Sequence, residues 1–193
     1  MEQSILSEIS DIFNDVKSLK PLVHHITNYV TANDCANIVL AVGASPVMAD
    51  DPEEVEEVVS LSQALVINLG TLSTRTAESM LRAGKKANEL GIPVILDPVG
   101  AGAISCRNRT AEKIIQNVKL SVIRGNMSEI KAIAGLGSST RGVDASEHDI
   151  NSSNDLRYVK NISESLSEKF GCVIAITGTT DIVSDGRKTV FIR

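Results

Sequence analysis

Asp97 closes the apolar run Pro93 to Leu96, and Pro98-Val99-Gly100-Ala101-Gly102 follows it directly. In an open parallel sheet, ligands sit just outside the carboxyl ends of the strands. A carboxylate there, followed by glycines that let a ligand approach the backbone, suits a divalent cation and a phosphate. The same residues also suit a strand-to-helix turn in which Asp97 is a cap. Four further strand ends repeat the pattern: His25-Ile26-Thr27-Asn28, Asn68-Leu69-Gly70-Thr71, Arg124-Gly125-Asn126-Met127-Ser128-Glu129, and Thr177-Gly178-Thr179-Thr180-Asp181. On one parallel sheet all five ends share an edge, so their side chains converge. Asp97 and Glu129 are then two carboxylates for a hydrated Mg²⁺ beside a polyphosphate. Arg124 offers a fork to phosphate oxygens. Thr177 and Gly178 offer a hydroxyl and a backbone N–H. Asn126 reads equally as the cap of the helix behind it. Neither GxxxxGK[ST] nor GxGxxG occurs, so no P-loop or dinucleotide turn is expected.

The elements that must position these residues alternate. Helices are expected over residues 3–19, from Thr31 to about Val42, from Pro52 behind an Asp51 cap, from Ser73 or Thr74 to Leu90, and over 108–117, 127–134 and 155–170. Strands are expected at 22–26, 45–49, 64–69, 93–96, 120–123 and 173–176. The segment 137–154, rich in Gly, Ser and Asp, reads as a loop. Asp185-Gly186-Arg187 between two apolar runs predicts a terminal hairpin. Strand–helix alternation implies βαβ units: an α/β fold, a mainly parallel sheet flanked by helices on both faces, in a single domain over 1–193. No helix follows the strand at 189–193 to cover that part of the sheet, so the chain reads as the front part of a longer protein, or as one that buries this surface against a partner.

Bulk composition narrows the function classes. The 193 residues are 42% hydrophobic with no Trp, two Tyr and three Phe, so the core must be built from aliphatics. The net charge of -5 and scattered Lys and Arg argue against a nucleic-acid partner. The three cysteines are far apart and form no CxxC pair, which fits a reducing, cytoplasmic setting. No signal peptide or membrane span is expected. His24 and His25 point to opposite faces of one strand and read as packed residues. Cys35 and Cys172 read as core, Cys106 as part of a polar turn, and Met48 as packing or the apolar wall of a substrate site.

Seven pieces, in order over about residues 21–186, resemble the hydroxyethylthiazole kinases of the ribokinase-like superfamily. They are His25–Thr31, Asn33–Asn37, Gly43–Met48, Asn68–Leu72, Asp97–Gly102, Arg124–Glu129 and Thr177-Gly178. The resemblance implies ATP- and Mg²⁺-dependent phosphorylation of the alcohol of 4-methyl-5-(2-hydroxyethyl)thiazole in thiamine salvage. It implies substrate contacts at Met48, Asn28 and Gly70, ATP contacts at Arg124, Thr177 and Gly178, and Asp97 and Glu129 beside the metal. It further implies a homotrimer with the thiazole site between subunits. One feature departs from the family: its Gly-Thr-Gly-Cys turn, which carries the catalytic Cys, has no counterpart here, so no catalytic residue is assigned. Two alternatives stay open: a non-catalytic binder of thiazole or nucleotide, and a kinase for another small alcohol.

Overall fold

The computed structural model describes residues 2–135 and 153–193. Its elements are α1 (Glu2–Leu19), β1 (Leu22–Ile26), α2 (Ala32–Ala41), β2 (Ser45–Met48), α3 (Val55–Leu61), β3 (Ala64–Asn68), α4 (Thr74–Glu89), β4 (Val94–Asp97), α5 (Ser105–Asn117), β5 (Val122–Asn126), α6 (Met127–Ile133), α7 (Ser153–Phe170), β6 (Val173–Thr177), β7 (Asp181–Ser184) and β8 (Thr189–Ile192). Most of the expected loop at 137–154 lies outside the described residues; Ser153 and Asn154 open α7.

Among the described residues the strands form one sheet in the order β2-β1-β3-β4-β5-β6-β7-β8. The first six of these are parallel, and β7 and β8 add the antiparallel hairpin. Strand residues alternate between faces. Ile26, Leu65, Ile67, Val94, Leu96, Ile123, Ile174, Ile176 and Ile182 all lie on one face and are buried in a single core. That core is closed by Val55 and Val59 of α3, Met80 and Ala83 of α4, Ile114 of α5, Ile130 of α6 and Leu166 of α7. On the opposite face Val66, Ile95, Val122 and Val173 form one register row and are only half-buried.

Several boundaries depart from the sequence expectation. The helix expected from Pro52 begins at Val55, because Asp51 Oδ1 accepts from Glu53 N at 2.9 Å and forms a separate turn first. The helix expected from 108 begins at Ser105, where Asn108 Oδ1 accepts Gly102 N at 2.7 Å and ties the entry to the preceding turn. The strand expected at 120–123 runs from Val122 to Asn126, so Arg124 sits within a strand. Helix α2 has no buried residue, so Cys35 is half-buried, not core. Cys106 lies in the first turn of α5 and is exposed. Cys172 is buried as expected, and desolvation pushes its thiol to about 11, which keeps it protonated.

Candidate active site

The carboxyl ends of β1, β3, β4, β5 and β6 lie side by side, as five parallel neighbours require. Asn68 is in register with Asp97, and Asn126 with Thr177. A chain of polar contacts crosses this edge. Asn28 Oδ1 accepts from Thr31 N at 3.0 Å and from Thr31 Oγ1 at 3.1 Å. Asn28 Nδ2 donates to Asn68 Oδ1 at 3.1 Å, which also accepts Gly70 N at 2.9 Å. Asn68 lies in register beside Asp97 and favours its charged form, and Asp97 Oδ2 accepts from Arg124 Nη1 at 3.1 Å. Gly70 is needed for this closeness: a Cβ there would sit 2.7 Å from Asn28 Cβ and 2.9 Å from Asn68 Oδ1. The motif Asn68-Leu69-Gly70-Thr71 assigns Asn68 no role by itself; the strand register places it between Asn28 and Asp97.

Burial raises the Asp97 carboxyl above its ordinary value, and the charge of Glu129 adds to the rise. Arg124 opposes it through its charge and hydrogen bond, and Asn68 through its hydrogen bond. The net direction is up, so Asp97 is a carboxylate short of compensating positive charge. A divalent cation would supply it. Among the described residues no group of three or more His, Cys, Asp or Glu is set to hold a metal ion. Two carboxylates still fit Mg²⁺, which fills its shell with water and substrate phosphate.

The turn after Asp97 is held from three sides. Gly100 has a φ of +75°, a conformation that disfavours side chains, and a Cβ there would meet the Arg107 guanidinium. Gly100 N donates to Glu129 Oε1 at 2.9 Å, and Arg107 Nη1 donates to Val99 O at 3.2 Å. Glu129 is therefore used more fully than the sequence suggested. Its Oε2 also accepts Asn126 N at 2.9 Å, while Asn126 Oδ1 accepts Glu129 N at 2.9 Å. This reciprocal capping box realises the cap expected of Asn126. Glu129 is 6% exposed, so it reaches a ligand only through its remaining lone pairs.

The other expected residues are placed unequally. Arg124 is half-exposed, so its guanidinium is open to a ligand while one nitrogen holds Asp97. Thr177 ends β6 beside Asn126. Gly178 departs from expectation: its N–H already donates to Asp181 Oδ1 at 2.9 Å. Met48 ends edge strand β2 and is 38% exposed. A second network has no motif in the sequence. Tyr29 OH donates to Asp50 Oδ2 at 3.0 Å, and Arg75 pairs with Asp50 at 2.9 Å and Asp51 at 2.5 Å, tying the β1–α2 loop to α4.

Residues 13–193 match the Hydroxyethylthiazole kinase family. The chain belongs to that family. It is 56% identical to a hydroxyethylthiazole kinase of Clostridium beijerinckii over all of this chain and 69% of that protein. It is 56% identical to one from Ruminiclostridium cellulolyticum over 95% of this chain and 66% of that protein. A solved hydroxyethylthiazole kinase protein from Pyrococcus horikoshii OT3 superposes with a TM-score of 0.82 at 40% identity, over 94% of this chain and 65% of that one. A Staphylococcus aureus pyridoxal kinase, at TM-score 0.58 and 16% identity, shares the fold. This member of the hydroxyethylthiazole kinase family thus spans about two thirds of the length of its relatives. Among its described residues no helix is long and apolar enough to cross a membrane.

Proposed function

We propose that this chain carries the thiazole-, metal- and nucleotide-facing edge of a hydroxyethylthiazole kinase. The reaction moves the γ-phosphoryl group of ATP onto the primary alcohol of 4-methyl-5-(2-hydroxyethyl)thiazole. The alcohol oxygen bonds to γ-phosphorus, the bond from γ-phosphorus to the β–γ bridging oxygen breaks so that ADP leaves with that oxygen, and the hydroxyl proton passes to solvent. Phosphoryl transfer depends on positioning and charge stabilisation. The observation that carries this reading is the Asn28–Asn68–Asp97–Arg124 chain on the carboxyl edge of the sheet.

Within it, Asp97 faces Mg²⁺, and Glu129 fixes the Gly100 turn while adding its charge. Bound there, Mg²⁺ supplies neutralisation of phosphate charge. Arg124 and Thr177 contact ATP, with Gly178 shaping the turn beside them. Met48 and Asn28 contact the thiazole, and Gly70 makes room for Asn28. The setting is cytoplasmic. The assembly is a homotrimer: Tyr29, Val30, Ile38, Leu40 and Met48 are exposed around α2 and β2, an apolar area that a partner copy would cover.

The test is calorimetric titration of the purified chain with the thiazole alcohol and with Mg-ATP, followed by phosphate transfer and sedimentation. Saturable binding of both ligands is expected, in a species of three copies. Binding of neither at millimolar concentration would overturn the reading.

A further inference from the structure

Asn28, Met48 and Gly70 stand at or just beyond the carboxyl ends of three neighbouring strands, β1, β2 and β3. The ladders that space these strands go no further than His25 with Met48 and Ile26 with Ile67. Strand β2 lies at the edge of the sheet, so its end has a strand on one side only. Past the ladder, side chains must set the spacing.

Asp50, two residues beyond Met48, gathers the loops. Its Oδ2 accepts from Tyr29 OH at 3.0 Å, its Oδ1 from Arg75 Nη2 at 2.9 Å, and its carbonyl from Ser79 Oγ at 2.7 Å. One residue earlier, His24 Nε2 donates to Ala49 O at 2.8 Å. Arg75 Nη1 also donates to Asp51 Oδ2 at 2.5 Å. Tyr29 follows Asn28, and its N–H donates to Thr71 Oγ1 at 3.3 Å, next to Gly70. Thr71 has a φ of +46°, a conformation unusual for a β-branched residue and kept only where the surroundings fix it. The network thus joins residues close to Asn28, Met48 and Gly70 and anchors them on α4. Exposed ion pairs add little to global stability, so loss of this network is felt locally, in the spacing of the loops.

We propose that Asp50 is a positioning residue for the thiazole subsite: through Tyr29 and Arg75 it holds the loops after β1 and β2 at the spacing the substrate requires. The inference rests on the thiazole-kinase reading above. A binding geometry held by its neighbours loses affinity when they let it drift. Asp97, Arg124 and Thr177 belong to β4, β5 and β6, so nucleotide binding does not depend on Asp50.

The test is calorimetric titration of the full chain and its variants with the thiazole alcohol and with Mg-ATP. Tyr29→Phe deletes only the hydroxyl that reaches Asp50, and should weaken thiazole binding about fivefold, the size of one polar contact. Asp50→Ala should weaken it about tenfold, and the double variant no further, because the two residues act through one bond. Mg-ATP affinity should stay within about twofold throughout. Arg75→Lys, which keeps a charge beside Asp50, should lose less than Arg75→Ala. Arg82→Ala breaks the Arg82–Glu56 pair at 2.7 Å, which involves none of these residues, and should change neither affinity. Tyr29→Phe keeps the ring, so its sedimentation should be unchanged; a smaller species would give Tyr29 to a subunit contact and overturn the proposal. Thiazole affinity that stays level in Tyr29→Phe and Asp50→Ala would overturn the role of Asp50. So would equal losses for Mg-ATP, the mark of a merely structural tie. No thiazole binding by the unsubstituted chain would instead remove the kinase reading itself, and this inference with it.

Discussion

Asp97 is held in a state that costs the free protein stability. Burial and Glu129 raise its pKa, and Arg124 only partly offsets them. A carboxyl with a raised folded pKa contributes stability below its ordinary value near 3.8, and loses it as pH rises through the folded value. Near neutrality the charge is therefore a net cost. Asp97→Asn should raise the Tm of the ligand-free protein while abolishing Mg²⁺-dependent ATP binding. Calorimetric melting with and without Mg-ATP checks both halves; a lowered Tm would count against the sign argued here. Arg124 divides its guanidinium between Asp97 and solvent. Arg124→Ala should weaken Mg-ATP binding roughly tenfold, about 1.4 kcal/mol, and leave thiazole binding within twofold. Equal losses for both ligands would move the nucleotide elsewhere.

At the scale of elements, a glycine in mid-helix decides how α4 meets α5. A Cβ on Gly84 would lie 2.7 Å from Val118 Cγ2 and 3.0 Å from Cγ1. Alanine gains about 1 kcal/mol of helix propensity. Overpacking a tight core costs about 1–3 kcal/mol, and Val118 is itself buried. The clash should win: Gly84→Ala should lower stability by about 1 kcal/mol in urea titration, and Val118→Ala in the same chain should recover it. The strands and helices were legible in the sequence because apolar runs and helical stripes are local signals. Of the boundaries that moved, those of α3 and α5 rest on side-chain turns, Asp51 to Glu53 and Asn108 to Gly102, and that of β5 on a distant strand. Arg124-Gly125-Asn126 carries no strand signature, and it extends because β6 offers it Ala175, Ile176 and Thr177. The site was legible as a set of strand ends, since parallel topology alone brings Asp97 and Arg124 together. The use of Glu129 as a clamp on Gly100, and of Asn68 as a bridge, was not legible. Both depend on register and turn geometry that no local pattern encodes.

Across the whole molecule, two adjacent histidines are buried neutral on opposite faces of one strand. Desolvation lowers the pKa of His24, against the opposing pulls of its bond to Ala49 and the charge of Glu54; His25 is lowered by desolvation and by His24. Their unfolded value is near 6.5. Below that pH the unfolded chain binds protons that the folded chain refuses, so stability falls as pH falls through 6.5 and keeps falling towards the folded values. Two such groups set a limiting slope of about 2.7 kcal/mol per pH unit. Above pH 7 both are neutral in either state and the slope from this source vanishes. Urea midpoints measured from pH 8 to pH 5.5 should therefore be level at first and then drop. His25→Phe should halve the slope, because it removes one of the two protons and leaves His24 bonded to Ala49. An unchanged slope in that variant would mean that His25 titrates in the fold as it does in the open chain, and its ring would then be reached by water.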